Sequence, residues 1–316
     1  MRLLCLLLAL ALAPASARAY PAKPVRVIVA FSAGGVTDII ARTVMPKLAE
    51  LWGQPVVVEN RAGAGGSLGA VAVAHSPADG SVLLVHSSGY AINAAINHSL
   101  PYDPYKDFVA VAHLGSQPQV LVVNPASSYR SVHYLINAAK SKPGAITYGS
   151  AGIGSGAHFN AEKFRIAAGI EVLHIPYKGG ADAINDTAAG RLDFTFNTLT
   201  LALPFIRDGR VRVLGVSSSQ RSKLLPKLPT IAESGVPGFE FTFWNGLWAP
   251  AGTPAPIVEK IARDLELVVA SADVRERLAR LGVENVSMNP AAFGRFVRDE
   301  IDNAERVARI SGIKAQ

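Results

Sequence analysis

Residues 24–52 read PVRVIVAFSAGGVTDIIARTVMPKLAELW, and this stretch decides the fold. Pro24 to Phe31 is an apolar, β-branched run and predicts a strand. Ser32-Ala33-Gly34-Gly35 interrupts it with small, turn-forming residues. Val36 to Leu51 then sets Ile40, Val44, Leu48 and Leu51 on one face, which predicts a helix, with a kink at Pro46. Gly53 stops the helix, and Pro55 to Glu59 (PVVVE) opens a second strand. Strand, glycine turn, helix and strand make a βαβ unit. Such a unit requires a parallel sheet with helices on its faces.

The pattern continues outward from this unit. Gly66 to His75 predicts a small-residue helix and Ser81 to His86 (SVLLVH) a third strand. A second α/β region follows, with strands at Gln119–Asn124, Ala145–Gly149, Glu171–Pro176, Leu192–Phe196 and Val211–Ser217. Its helices start at Ser131, near Ala157 and at Ala181. The tail predicts three helices: Pro256–Ser271, Val274–Leu281, and one opening at Asn289-Pro290. These have no strands of their own, so they are expected to return to the first sheet. The expected organisation is a discontinuous first lobe, residues 20–120 with 249–316, and an inserted second lobe, residues 121–248.

Composition narrows the function. Met1-Arg2, the apolar run Leu3 to Ala13 and Ala17-Arg18-Ala19 fit an export signal cleaved after Ala19. The run is too short for a membrane span, which takes roughly 20 residues. The one cysteine, Cys5, lies inside this leader, so the expected mature chain has no disulfide, thiolate nucleophile or cysteine metal site. An exported chain of this kind is expected in a bacterial periplasm as a monomer without metal or cofactor. Without Arg2 and Arg18 it keeps 29 of its 31 basic residues against 24 acidic ones. The basic residues are scattered, so nucleic-acid binding finds little support. A weak net positive charge suits an anionic partner.

Four glycine loops follow strands or open helices: Ser32 to Gly35, Gly63 to Gly66, Ser150 to Gly156 (SAGIGSG) and Lys178 to Gly180. In an open α/β sheet, ligands bind beyond the carboxyl ends of the strands. Helix starts there present free N–H groups and partial positive charge. Glycine lets backbone approach a ligand. Gly152 to Ala157 matches G-x-G-x-x-A, but Glu171 stands at the start of the next strand, where a dinucleotide site wants an acid at its end. Asp38 reads as a helix-dipole partner. The histidines, His98 among them, are dispersed without metal spacing, and His158 alone sits beside a glycine loop. Lys178 is the only charged residue in the four loops and pairs with an anion or stands free in solvent. No acid–base or nucleophile pair stands at useful spacing.

Ala30-Phe31-Ser32-Ala33-Gly34-Gly35-Val36-Thr37-Asp38 resembles the F-x-x-G-G-x-x-D loop of the Bug receptors, the extracytoplasmic solute-binding proteins of tripartite tricarboxylate transporters. Val58 to Gly66 (VENRAGAGG) resembles their V-x-N-R-x-G-A-G-G motif. Tyr148 to His158, Pro176 to Gly180 and Gly246 to Pro250 follow in matching order. Ser32 and Ala62 stand where proline is frequent in the family.

The resemblance implies a type II periplasmic-binding-protein fold, two lobes on a hinge, that takes a small carboxylate: a di- or tricarboxylate, an acidic amino acid or an aromatic acid. It implies backbone-amide binding by the loops Phe31, Ser32, Ala33, Gly34, Gly35 and Ser150, Ala151, Gly152, Gly154, Ser155. Asp38, Gly65, Ser87, Ser88, His158, Tyr177, Lys178, Gly179 and Asp193 complete the expected site. The implied partners are the membrane components of a transporter. Two further readings share the loops: a sensing module that docks on a receptor kinase, and an α/β enzyme with a glycine-loop anion site.

Overall fold

β1 (Val25–Val29) runs into the glycine turn and α1 (Val36–Trp52), and the chain returns as β2 (Val56–Asn60). The computed structural model describes residues 20–97, 99–284, 286–311 and 313; the expected leader with its cleavage point at Ala19, and His98, lie outside them. α1 continues through Pro46, and it buries Ile40, Val44, Met45 and Leu48. Leu51, expected on that face, is exposed instead. A 3₁₀ turn (Ala64–Gly66) leads into α2 (Ser67–Ala74), then β3 (Val82–Ser87), α3 (Gly89–Ile96) and the long β4 (Phe108–Val123).

The second region adds α4 (Val132–Ser141), β5 (Ile146–Ser150), α5 (Gly156–Ala168), β6 (Val172–Pro176), α6 (Gly180–Ala188), β7 (Phe194–Thr198), α7 (Leu199–Arg207) and β8 (Arg212–Val216). β9 (Thr242–Pro250) and helices α8 (Ala255–Ala270), α9 (Ala272–Arg280) and α10 (Pro290–Ser311) complete the chain.

The strands form one path, β2-β1-β3-β9-β4-β7-β5-β6, with β8 on β4. β1 pairs in parallel with β2 and β3, as the βαβ reading requires. β4 serves both lobes. Through Pro118 it pairs with β9, and from Gln119 onward with β7 and then also β8. The chain therefore crosses between lobes at Pro118-Gln119 and returns at Phe241-Thr242. The return is earlier than the expected residue 249, because β9 pairs with β4 along Thr242–Pro250 and with β3 over Asn245–Trp248. Its aromatic side chains read as a connection in sequence, yet Trp244 and Trp248 are core residues.

Each lobe has its own apolar core. Val27, Ile40, Val44 and Leu83 pack with Val258, Ile261 and Leu265 of α8, while Leu121, Tyr148, Phe164, Phe194 and Phe196 fill the second lobe. α10 lays Phe293, Val297 and Ile301 against Tyr90, Trp244 and Trp248. Two buried-edge bonds fasten the tail to the first lobe, Trp52 Nε1 to Asp264 at 2.6 Å and Trp244 Nε1 to Glu300 at 2.8 Å. No described helix is long and apolar enough to cross a membrane.

Candidate functional site

Parallel strands with helices between them deliver helix N-termini to one edge of each sheet. Here those edges face each other. The starts of α1 (Gly35, Val36, Thr37), α5 (Ser155, Gly156, Ala157), α6 (Gly180) and α7 (Thr198) border one small cavity of about 40 Å³. Ser87, Gln119 and Asn197 add polar groups, and Phe31, Phe196, Leu201 and Phe243 form apolar walls. No Asp, Glu, Lys, Arg or His lines it.

Two loops behind the cavity are braced by their own side chains. Asp38 is 3% exposed; its Oδ2 accepts the Gly34 amide at 2.9 Å, and its Oδ1 accepts Arg42 Nε at 2.8 Å and Asn60 Nδ2 at 2.9 Å. Gly35 donates to the Ser32 carbonyl at 3.2 Å. Gly34 and Gly35 amides, expected as ligand donors, are thus spent on loop shape. The open donors at this end are the first-turn amides of α1, which a helix leaves without internal partners. Gly34 sits at φ +75, a left-handed conformation that lets the chain double back for this bracing.

The opposite loop repeats the device. Ser155 caps α5 by accepting the His158 amide, and its own amide reaches the Gly152 carbonyl at 3.1 Å. Ser150 Oγ receives the Gly152 amide at 3.1 Å and meets His174 Nε2 at 2.6 Å. His158 Nδ1 receives the Gly154 amide at 3.3 Å, and its ring lies 4.5 Å from that of His174. Burial lowers His158 to about 4; burial and then the neighbouring His158 lower His174 to about 3. Both are neutral at pH 7, so His158 shapes the loop as an acceptor and brings no charge.

The expected residues therefore separate into groups. Phe31, Gly35, Ser87, Ala151 and Ser155 line the cavity. Asp38, Gly34, Ser150, Gly152, Gly154 and His158 hold the loops. A third group meets the other lobe. A methyl group on Gly65 would overlap the Ile153 carbonyl, one on Gly156 would lie 2.6 Å from Ser88 Oγ, and one on Gly179 would lie 3.0 Å from Ser32. The cleft is closed in this structure, and glycines make the seam. Ala33 is exposed at the rim.

Three expected residues lie outside the cavity lining. Tyr177 turns back onto its own α6, its hydroxyl donating to Asp186 at 2.7 Å. Lys178 is exposed and outside the cavity lining. Asp193 precedes β7, at the end of the sheet away from the cleft, where it accepts Thr147 N at 2.8 Å, Thr147 Oγ1 at 2.9 Å and Tyr129 OH at 3.0 Å. The sequence set this strand two residues early. Its true carboxyl end is Asn197-Thr198, and these, with Thr37 and Gln119, are the polar lining residues the sequence missed. The signal for Asn197 and Thr198 was their place just ahead of the apolar segment that becomes α7.

A wider hollow of about 1040 Å³ opens between α8, α9 and residues 218–224. It carries Arg221, Arg263 and Arg275 with Glu259, Glu266 and Glu284, charges of both signs on a broad groove. It lacks the converging helix starts of the cleft, so it is not the candidate site. The described residues hold no group of three metal-ligating side chains.

Two lobes joined by a pair of crossing strands, with helix starts aimed into a closed cleft between them, are the architecture of a two-lobed solute-binding receptor. The chain belongs to the tripartite tricarboxylate transporter receptor family, whose profile matches residues 40–313. It is 38% identical to protein BugT of Bordetella pertussis over 304 residues, covering 96% of this chain and 93% of that one. Among solved structures it resembles Rpa4515 of R. palustris with adipate, at TM-score 0.90 and 35% identity, covering 93% of this chain and 99% of that one. It also resembles MatC of Rhodopseudomonas palustris with bound malate, at TM-score 0.86 and 31% identity, covering 91% and 99%.

Proposed function

We propose that this protein captures a small carboxylate in the cleft between its lobes and presents the closed form to the membrane components of a tripartite transporter. The observation that carries the reading is the pair of braced loops on opposite lobes. Each feeds a helix start into one cavity that contains no charged side chain. Such a site has donors for an anion, and it has no acid, base or nucleophile positioned for turnover. The relatives support it: one was solved with adipate and one with malate.

Binding and closure are one event in this reading. The α1 amides belong to the first lobe and the α5 amides to the second, so an anion receives both sets only when the lobes meet. Its greater affinity for the closed form is what shifts the equilibrium. Charge-assisted hydrogen bonds contribute roughly 1.5–3 kcal/mol each. Four of them sum to about 6–12 kcal/mol, a range that contains the roughly 8 kcal/mol of a micromolar complex. The test is mass spectrometry of the small molecule released from the purified protein, followed by calorimetry with the compound found. Recovery of a carboxylate that rebinds one to one is the expected result. A protein that turns its ligand over, or that binds only uncharged compounds, refutes it.

A further inference from the structure

We infer that the lobes pivot on a contact beside the crossing strands, where Leu199 and Thr200 of the second lobe rest on Leu281 and Gly282 of the first. The wide hollow beyond that contact is then a counter-cleft. It widens as the ligand cleft closes, so filling it drives closure. This goes beyond the carboxylate reading and holds whatever the cleft takes.

The two cavities lie on opposite faces of the crossing strands. Gln119 and Phe243 border the cleft cavity, whereas their neighbours Pro118 and Thr242 border the hollow. Adjacent residues of a strand point to opposite faces. The start of α7 divides the cavities in the same way. Thr198 and Leu201 border the cleft, and Leu199 and Thr200 between them are buried and border neither cavity. Thr200 Oγ1 lies 2.8 Å from the Leu281 carbonyl and 2.7 Å from Gln117 Oε1, which also accepts the Thr200 amide at 3.1 Å. Gln117 Nε2 has no partner among the described residues, so this side chain is held through its oxygen alone. A methyl on Gly282 would lie 2.9 Å from Leu199 Cδ2 and 3.2 Å from Leu224 Cδ1, so the lobes are in full contact here. The turn that bears them is itself bound to the hinge. Glu284 and Ser116 exchange two backbone hydrogen bonds of 2.8 Å, just ahead of the crossing at Pro118.

A contact this close to the bending axis moves little as the lobes turn, while the cavities on either side of it change in opposite senses. The volumes agree: with the lobes closed, the cleft keeps about 40 Å³ and the hollow about 1040 Å³. Little holds the walls of the hollow at one spacing. Arg221 pairs with Glu233 and Arg263 with Glu259, each within its own lobe. The one ion pair across it among the described residues is Lys223 with Glu284 at 3.9 Å, both exposed, a kind that contributes little. An occupant of the hollow therefore favours the closed form by its greater affinity for it, and by linkage a ligand in the cleft opens the hollow to that occupant.

The experiment fills the hollow of the whole protein from each wall, with Ala279→Trp on α9 and Gln220→Trp on the second lobe, both exposed positions in its lining. Ala272→Trp, exposed on α9 outside the lining, is the control. Small-angle scattering of the ligand-free proteins reads closure, and calorimetry with adipate and with malate reads affinity. Both filled variants are expected to be more compact than the parent without ligand. They are expected to bind whichever acid the parent binds about fivefold more tightly, the lower end of what overpacking costs the form in which the hollow is narrow. The control is expected to match the parent. Thr200→Val is expected to melt at a lower temperature and to bind within twofold of the parent, since a pivot contact is present in both forms. Unchanged melting of the tryptophan variants establishes that they fold, and a variant that fails this check leaves the decision to the one on the opposite wall. Filled variants that are no more compact or bind no more tightly overturn the counter-cleft, as does equal compaction in the control. A tenfold loss of affinity in Thr200→Val overturns the pivot, because the contact then forms only on closing. If the parent binds neither acid, the carboxylate reading alone is in question, and scattering still decides the counter-cleft.

Discussion

Gly65 and Gly53 form a natural matched pair for testing closure. Both are left-handed, Gly65 at φ 62 and ψ 18, Gly53 at φ 62 and ψ 20. An alanine at either position meets the same backbone penalty, roughly 1–2 kcal/mol. Their surroundings differ. A methyl at Gly53 has no atom within 4 Å, whereas one at Gly65 overlaps the Ile153 carbonyl of the facing lobe. That carbonyl belongs to the backbone and retreats only if the lobes part. Gly53→Ala and Gly65→Ala should therefore lower the melting temperature of the ligand-free protein alike, by a few degrees. Ligand affinity should separate them. Overpacking of this kind costs about 1–3 kcal/mol, and only the closed form incurs it, so Gly65→Ala should bind about 5- to 150-fold more weakly than Gly53→Ala. Calorimetry gives the ratio, and small-angle scattering shows whether Gly65→Ala still compacts on adding ligand. Equal affinities within twofold would refute the glycine seam as the closure surface.

Other outcomes follow from the same geometry. Gly34→Val forces a β-branched residue to φ +75 and breaks the turn that lets Asp38 hold the α1 loop, so binding should be lost with the fold intact; Lys178→Ala should bind like the parent, because Lys178 lies outside the cavity. Calorimetry on the two variants checks both. Asp193→Asn should lower the melting temperature while leaving the dissociation constant unchanged, since Asp193 braces Thr147 and Tyr129 away from the cleft. Burial lowers His86, His113 and His158 to about 4, so unfolded chains take up protons below pH 6.5 that the folded protein refuses. Stability should be complete above pH 6.5 and fall as the pH drops from there to 4, by up to about 3 kcal/mol per histidine; a melting temperature flat across that window would contradict it.

Much of this was legible in sequence because it is periodic or punctuated. The unit from Val25 to Asn60 declares itself through a β-branched run, a glycine pair and a helical stripe, and the structure has those elements at nearly those residues. The glycine loops located both helix starts that face each other. β4 was half hidden, since Gly115, Gln117 and Pro118 look like breakers within a strand. They are tolerated there because β4 changes partners at that point and is irregular in register before it. β9 was hidden for the opposite reason: Thr242 to Pro250 mixes Phe243, Trp244 and Trp248 with Asn245 and Gly246 and shows no alternation, as befits a strand buried on both faces. The site's side chains were least legible. A loop motif places backbone, whereas Thr198 and Asn197 reach the cavity through a strand end whose register is set by long-range pairing with β4 and β5.

The two crossing strands have one more consequence. Pro118 and Thr242 face each other in the ladder, so the strands are hydrogen-bonded together right up to the crossing. Just beyond it, Ser217 ties both: its Oγ accepts the Gln119 amide at 2.9 Å and donates to the Phe241 carbonyl at 2.6 Å. A ribbon clamped in this way resists twisting and shearing and yields chiefly by flexing across its width. The protein then has a single soft coordinate, much like a door on a piano hinge. One distance between a dye on each lobe would track occupancy in real time, and the scaffold comes prepared for it: the only cysteine in the sequence is Cys5, so engineered thiols on the lobes need compete only with that residue for label.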